Sequence, residues 1–211
     1  PFEGVLGLDF ETASAADLKK TGAWAYSCHP STLIYCAAWI YCRPNGVAFC
    51  SLWYPGMPLL KGIREYLRAG GTVLAHNAPF ERAICANLLT PSAMAFPEIE
   101  DHQWVDTQAS GLAVGLPRTL EGLAKALGVP AQKDMEGHKL MRKMARAVEL
   151  VDGQWTYPMA TPANLKRLGE YCIIDAVAMA QCWNKLPKLP TTEVRLCHAD
   201  RRINRRGVFL D

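Results

Sequence analysis

The chain has 211 residues, 50% of them hydrophobic and 20% charged, with a formal net charge of +3. That is apolar material for one sizeable core, and it excludes a disordered or fibrous chain. No apolar run reaches the ~20 residues of a membrane helix, and PFEGVLGLDF has no cationic stretch before an apolar one. The expectation is therefore a cytosolic protein with no membrane partner. The charge is too small to argue for nucleic acid, but its distribution says more. Lys133, Lys139, Arg142, Lys143 and Arg146 cluster in one stretch, and Arg195, Arg201, Arg202, Arg205 and Arg206 in another. Such clusters either hold phosphates or form a solvated helix face. The eight cysteines contain no CxxC pair. Cys36, Cys42, Cys50, Cys85, Cys172 and Cys182 sit in apolar stretches and read as small buried hydrophobes, reduced in a cytosolic setting, rather than as disulfides or metal ligands.

In chain order, EGVLGLDFET is an apolar strand with carboxylates at its far end. LIYCAAWIYC and VAFCSLW are further strands, joined at Pro44-Asn45-Gly46, a strong hairpin signal, so the first third reads as a β-meander. Residues 58–69 predict a short helix ending at Gly70-Gly71, TVLAH a fourth strand and Asn77 to Leu89 a helix. A Pro-broken loop (Pro91 to Pro97) leads to WVDT, a short strand. TLEGLAKALG is a helix capped by Thr119 and closed by Gly128 and Pro130. Residues 131–160 predict a basic helix and then a loop around Gly153 and Pro158. Thr161 to Leu186 is a long helix opened by Pro162, and a basic helix covers 191–205. This order of elements predicts one α/β domain with a mixed central sheet flanked by helices.

Asp9 and Glu11 lie two apart on a strand, so both side chains point to one face. Carboxylate oxygens suit Mg²⁺ or Mn²⁺, and two such ions ~4 Å apart can hold the attacking water and the leaving oxygen of a phosphodiester. Alone, such a pair reads better as two surface acids. Asn77 and Glu81 lie four apart on one predicted helix, and Tyr171 and Asp175 four apart on another, so each pair shares a helical face. Asp175 sits inside the apolar segment CIIDAVAMA, where a carboxylate is costly without a donor or a metal. By spacing alone Tyr171 is a core aromatic with a polar tip, and His76 tops a strand as a structural residue.

LDFET, HNAPFER and YCIID, in this order, resemble the three exonuclease motifs of the DEDD superfamily, in its tyrosine-bearing branch. The likeness is to the 3′→5′ proofreading domain of family-A DNA polymerases, those related to bacterial DNA polymerase I, particularly phage-encoded members. TLEGLAKALG, KDMEGHKLM and RINRRGVFLD extend the likeness over nearly the whole chain. The resemblance implies a ribonuclease H-like fold over residues 1–190, with 191–211 a helix leading toward a polymerase portion. It implies two Mg²⁺ or Mn²⁺ ions, with Asp9, Glu11 and Asp175 on the first, Asp9 also touching the second, and Glu81 where the family usually has Asp. Tyr171 would orient the attacking water, because an unperturbed tyrosine with a pKa of ~10 is a poor base at neutral pH. Phe10, Thr12, His76, Asn77 and Phe80 fall on the substrate side, and Asp106 matches a further family Asp read as structural. Phe10 has two readings, a wedge against the last base or a core residue on the opposite face of the strand. The implied partner is DNA with a single-stranded or frayed 3′ end. Two other readings compete: a stand-alone RNA or DNA exonuclease, and a non-catalytic module that binds a primer end or braces a polymerase.

Overall fold

The computed structural model describes residues 3–89, 96–130 and 134–206. Most of the expected Pro91–Pro97 loop, Lys133 and the end of RINRRGVFLD lie outside the described residues. Five strands form one sheet in the order β3-β2-β1-β4-β5. They are β1 (Val5–Ala13), β2 (Leu33–Arg43), β3 (Gly46–Trp53), β4 (Val73–Ala75) and β5 (Trp104–Asp106). The first three are an antiparallel meander, and β4 and β5 join β1 in parallel. The sheet is therefore mixed, as expected. The hairpin turn falls at Pro44-Asn45, with Arg43 paired to Gly46.

β2 is apolar on both faces because both faces are covered. Ala37 and Trp39 point into a cluster with Leu8, Phe10, Ile63, Leu67, Ile84 and Trp104. That cluster joins the sheet to α2 (Lys61–Arg68) and α3 (Ala78–Leu88). Cys36, Ala38, Ile40 and Cys42 point the other way, onto Cys172, Ala176 and Ala180 of the long helix Pro162–Lys185. That helix is α7 in chain order, after α4 (Thr107–Leu112), α5 (Leu120–Ala126) and α6 (Met135–Met144). Thr161 caps it by accepting from the Asn164 N–H, and Pro162 occupies its first turn. Gly169 lets it lie close on β3, since a Cβ there would meet the Leu52 and Tyr54 side chains.

Two elements depart from the expectation. A helix, α1 (Leu18–Cys28), intervenes in the meander between β1 and β2; Asp17 caps it and Gly22, at φ 76°, breaks it. Its polar run with a central glycine carries no clear apolar stripe, so the sequence pattern conceals it. The loop expected around Gly153 is a two-stranded hairpin, β6 (Glu149–Val151) and β7 (Gln154–Thr156). Its turn residues Asp152 and Gly153 have φ of 50° and 77°, the positive-φ pair that tight hairpin turns favour. The Asp-Gly signal is present, but each strand is only three residues long. WVDT forms the short strand expected, and Asp106 ends it and caps α4. The final helix, α8 (Thr191–Arg206), leaves Leu196 and Ile203 each 62% exposed. No helix among the described residues is long and apolar enough to cross a membrane.

The α2–β4 corner shows how little room the packing leaves. Gly70 closes α2 in the left-handed region at φ 77°. A Cβ on the next residue, Gly71, would overlap the Tyr66 ring. That ring cannot yield, since its hydroxyl sits 2.9 Å from the carbonyls of both Gly4 and Thr72. Gly71→Ala is expected to lower stability by about 1–3 kcal/mol through overpacking, read as a reduced urea midpoint with unchanged slope.

Candidate metal centre

Strand alternation sets the site. Asp9 pairs with Ala38 and Glu11 with Cys36, so both carboxylates share the α7 face, while Phe10 pairs with Ala37 on the other. Phe10 is 5% exposed within the apolar cluster around Trp39. Its wedge reading is corrected accordingly: the ring is a core residue, pointed away from the acids. A donor atom from each of Asp9, Glu11 and Cys172 lies within 4.8 Å of the other two. Burial, and then the neighbouring Asp175 charge, raise the Asp9 carboxyl from 3.8 to about 8. Glu11 is pushed well above its ordinary value, first by burial and then by Asp9. Burial likewise holds the Cys172 thiol protonated.

Glu81 arrives from α3, whose start is fixed by a carboxylate on a different element. Asp106 accepts from the Asn77 and Ala78 N–H groups at 3.1 and 3.0 Å and from Gln108 and Ala109 at 2.9 and 3.3 Å. One side chain thus caps α4 and ties down the first turn of α3, in keeping with the structural reading of Asp106. Asn77 takes a left-handed conformation, φ 72°, to turn the chain into the helix. Glu81 is 3% exposed and its Oε2 has no hydrogen-bond partner. Burial raises its carboxyl well above the ordinary range, and the largest charge effect on it comes from Asp9. A buried carboxylate oxygen without a donor is costly unless a cation compensates it.

Tyr171 and Asp175 come from successive turns of α7. The Tyr171 ring is packed with Ala13, Tyr35, Met144 and Leu168, which is the core-aromatic reading, while its hydroxyl hydrogen-bonds toward Asp175. Burial first, then the Asp175 charge and that bond, push the Tyr171 hydroxyl far above its ordinary value. Burial raises Asp175, whereas the Tyr171 bond and nearby His138 draw it down. His138 escapes notice in the sequence, where KDMEGHKLM reads only as a basic helix. In the structure its ring stacks on Tyr171, with centroids 6.4 Å apart and 12° between the planes. Asp134 places it, accepting from Gly137 N at 2.8 Å as the cap of α6 and pairing with Arg167 of α7. The D-x-x-G cap spacing is the signal that could have found this contact.

The other residues expected on the substrate side have partners of their own. His76 has both ring nitrogens engaged, one 2.9 Å from Thr107 Oγ1 and the other donating to the Arg118 carbonyl at 3.0 Å. Burial lowers its pKa, which keeps it neutral. Thr12 bonds the Tyr26 hydroxyl at 2.9 Å, and the half-buried Phe80 ring lies 5.9 Å from Tyr26. Lys139, Arg142, Lys143 and Arg146 are exposed along α6 and its end.

No protein-family model matches the chain. It is similar to a DNA polymerase of Bacillus phage SP02, 31% identical over 213 residues that take in 98% of this chain. The chain spans 32% of the length of that polymerase.

Four buried or half-buried carboxylates, one with an orphaned oxygen, form a donor set that fits hard divalent cations. A pH dependence follows from the raised Asp9. Between 3.8 and about 8 the folded chain binds more protons there than the unfolded chain does, so the stability of the metal-free protein falls as pH rises through this window. A cation that binds the ionised site opposes that fall, so Mn²⁺ should raise Tm more at about pH 8 than at about pH 6. Asp9→Asn should raise the metal-free Tm at the higher pH and remove most of the Mn²⁺ effect. A Tm indifferent to Mn²⁺ at both pH values would contradict a metal centre.

Proposed function

We propose that this domain is a two-metal-ion 3′→5′ exonuclease that hydrolyses phosphodiester bonds at single-stranded or frayed DNA 3′ ends. In this reading it is the proofreading portion of a DNA polymerase, with residues 191–211 leading toward the polymerase portion. The observation that carries the proposal is the grouping of Asp9 and Glu11 on one face of β1, with Asp175 of α7 and Glu81 of α3 near enough for their charges and that of Asp9 to act on one another and with Tyr171 beside Asp175. Two further observations support it: the sheet order β3-β2-β1-β4-β5, which suits a ribonuclease H-like fold, and the similarity to a phage DNA polymerase.

Asp9, Glu11 and Asp175 would hold one Mg²⁺ or Mn²⁺, and Asp9 with Glu81 the second. When bound, such ions ionise a water and stabilise the charge on the leaving oxygen. The chain supplies the rest. Tyr171, held neutral by its surroundings, is no base, and its O–H orients the water. Its ring is locked between the core and His138, so that orientation costs little entropy during turnover. Glu81 carries one methylene more than Asp and reaches its position from a deeply buried helix turn. The exposed cations along α6, the helix that also carries His138, suit the phosphates of a single strand.

The test is digestion of a 5′-labelled single-stranded DNA oligomer with Mg²⁺ or Mn²⁺. The expected result is a ladder shortening from the 3′ end, abolished by EDTA and in Asp9→Ala. Asp175→Ala should lower the rate by about a hundredfold or more. Tyr171→Phe should slow cleavage with DNA affinity retained, because the ring still fills its place. Folded wild-type protein that cuts with neither ion would turn the reading to a non-catalytic primer-end module.

A further inference from the structure

Sulfur lies among the carboxylates. Cys172 is fully buried on α7 beside Tyr171, and its Sγ is 3.5 Å from Asp9 Oδ2 and 3.4 Å from the Asp9 carbonyl oxygen. Its Sγ belongs to the same tight group of donor atoms as the Asp9 and Glu11 oxygens. Cys36 stands behind it, paired across the sheet with Glu11 and also fully buried. Independently, the unpartnered Glu81 Oε2 leaves the same region short of a cation. The apolar setting of Cys172 reads as core filling in the sequence, but only one side of it is core; the other is the acidic site.

A mixed oxygen and sulfur donor set discriminates among ions. Hard ions take the carboxylates and leave a thiol as a donor to Asp9, whereas soft ions prefer the sulfur. We propose that Cys172 is a metal ligand through which this site captures thiophilic divalent cations such as Cd²⁺ and Zn²⁺, with Asp9 and Glu11 completing the set. Capture replaces the S–H bond by an S–metal bond and releases one proton to the buffer, with no change of oxidation state. Asp9 and Glu11 serve both modes, so a captured soft ion excludes Mg²⁺ or Mn²⁺. The inference rests on the reading of these two residues as metal ligands, though not on any cleavage by the domain.

The probe is Cd²⁺ added to the metal-free 211-residue chain without DNA, followed by the ultraviolet sulfur-to-cadmium charge-transfer band. An oxygen-only site gives no such band. Wild type should develop it with the first equivalent, and the bound Cd²⁺ should abolish the Tm rise given by Mn²⁺. Cys172→Ser should lose the band and bind Cd²⁺ about tenfold more weakly or worse, while binding Mn²⁺ nearly as wild type does. Cys28→Ser, at an exposed position far along the chain, should keep the band. No band in wild type, or an undiminished one in Cys172→Ser, overturns the proposal. Should Cys172→Ser fail to fold, Asp9→Asn decides: a Cd²⁺ band of undiminished strength and affinity in that variant places the ion on other cysteines and equally overturns the proposal. Failure of the exonuclease reading is seen elsewhere, as absent cleavage with Mn²⁺, and leaves the Cd²⁺ result standing.

Discussion

Carboxylates that repel one another must be held together before any ion arrives, and the sheet makes this possible by having two covered faces. Along β1 and β2 every second residue faces α2 and α3, and the alternate residues face α7. The first face is filled with Trp39, Leu8, Phe10 and Trp104 and is the larger apolar cluster. The second is lined with small residues, Cys36, Ala38, Ala176 and Ala180. Small residues let α7 approach β1 closely enough for Asp175 to sense Asp9. Large side chains on that face would fill the space the ions need. The electrostatic penalty at the site is therefore carried by packing on the opposite side of the same strands.

The supports of the centre are as specific as its ligands. Asp134 ties α6 to α7 through the α6 cap and Arg167, and so sets His138 against Tyr171. His76, with Thr107 and Arg118, fastens the end of β4 to the start of α4. Each contact satisfies polar groups that burial would otherwise penalise, and the first fixes the helix that carries Asp175. A flexible site would have to order its acids on binding, against both their repulsion and the chain entropy.

What could be read from the sequence follows the range of the interaction. The placement of Asp9 and Glu11 on one strand face, and of Tyr171 and Asp175 on one helix face, needs only local periodicity, and both emerge as expected. The capped boundaries of α7 are local too. The status of Phe10 was legible as a choice of two, and the cross-strand pairing with Ala37 resolves it. Contacts between distant segments were hidden. The Asp134–Arg167 pair spans 33 residues and the approach of Cys172 to Asp9 spans 163; no pattern within one element encodes either. α1 was missed for another reason, since its glycine break and polar composition erase the stripe that announces a helix.

Asp106 gathers four N–H groups from the starts of two helices onto two oxygens. Its effect is mechanical: the starts of α3 and α4 share one anchor, placed at the end of β5. Glu81 sits one turn beyond that anchor, so the lever arm from Asp106 fixes its height above the sheet. The position of the Glu81 carboxyl can accordingly be tuned from a residue outside the acidic group, by altering the stiffness of the mount instead of the chemistry of the acid.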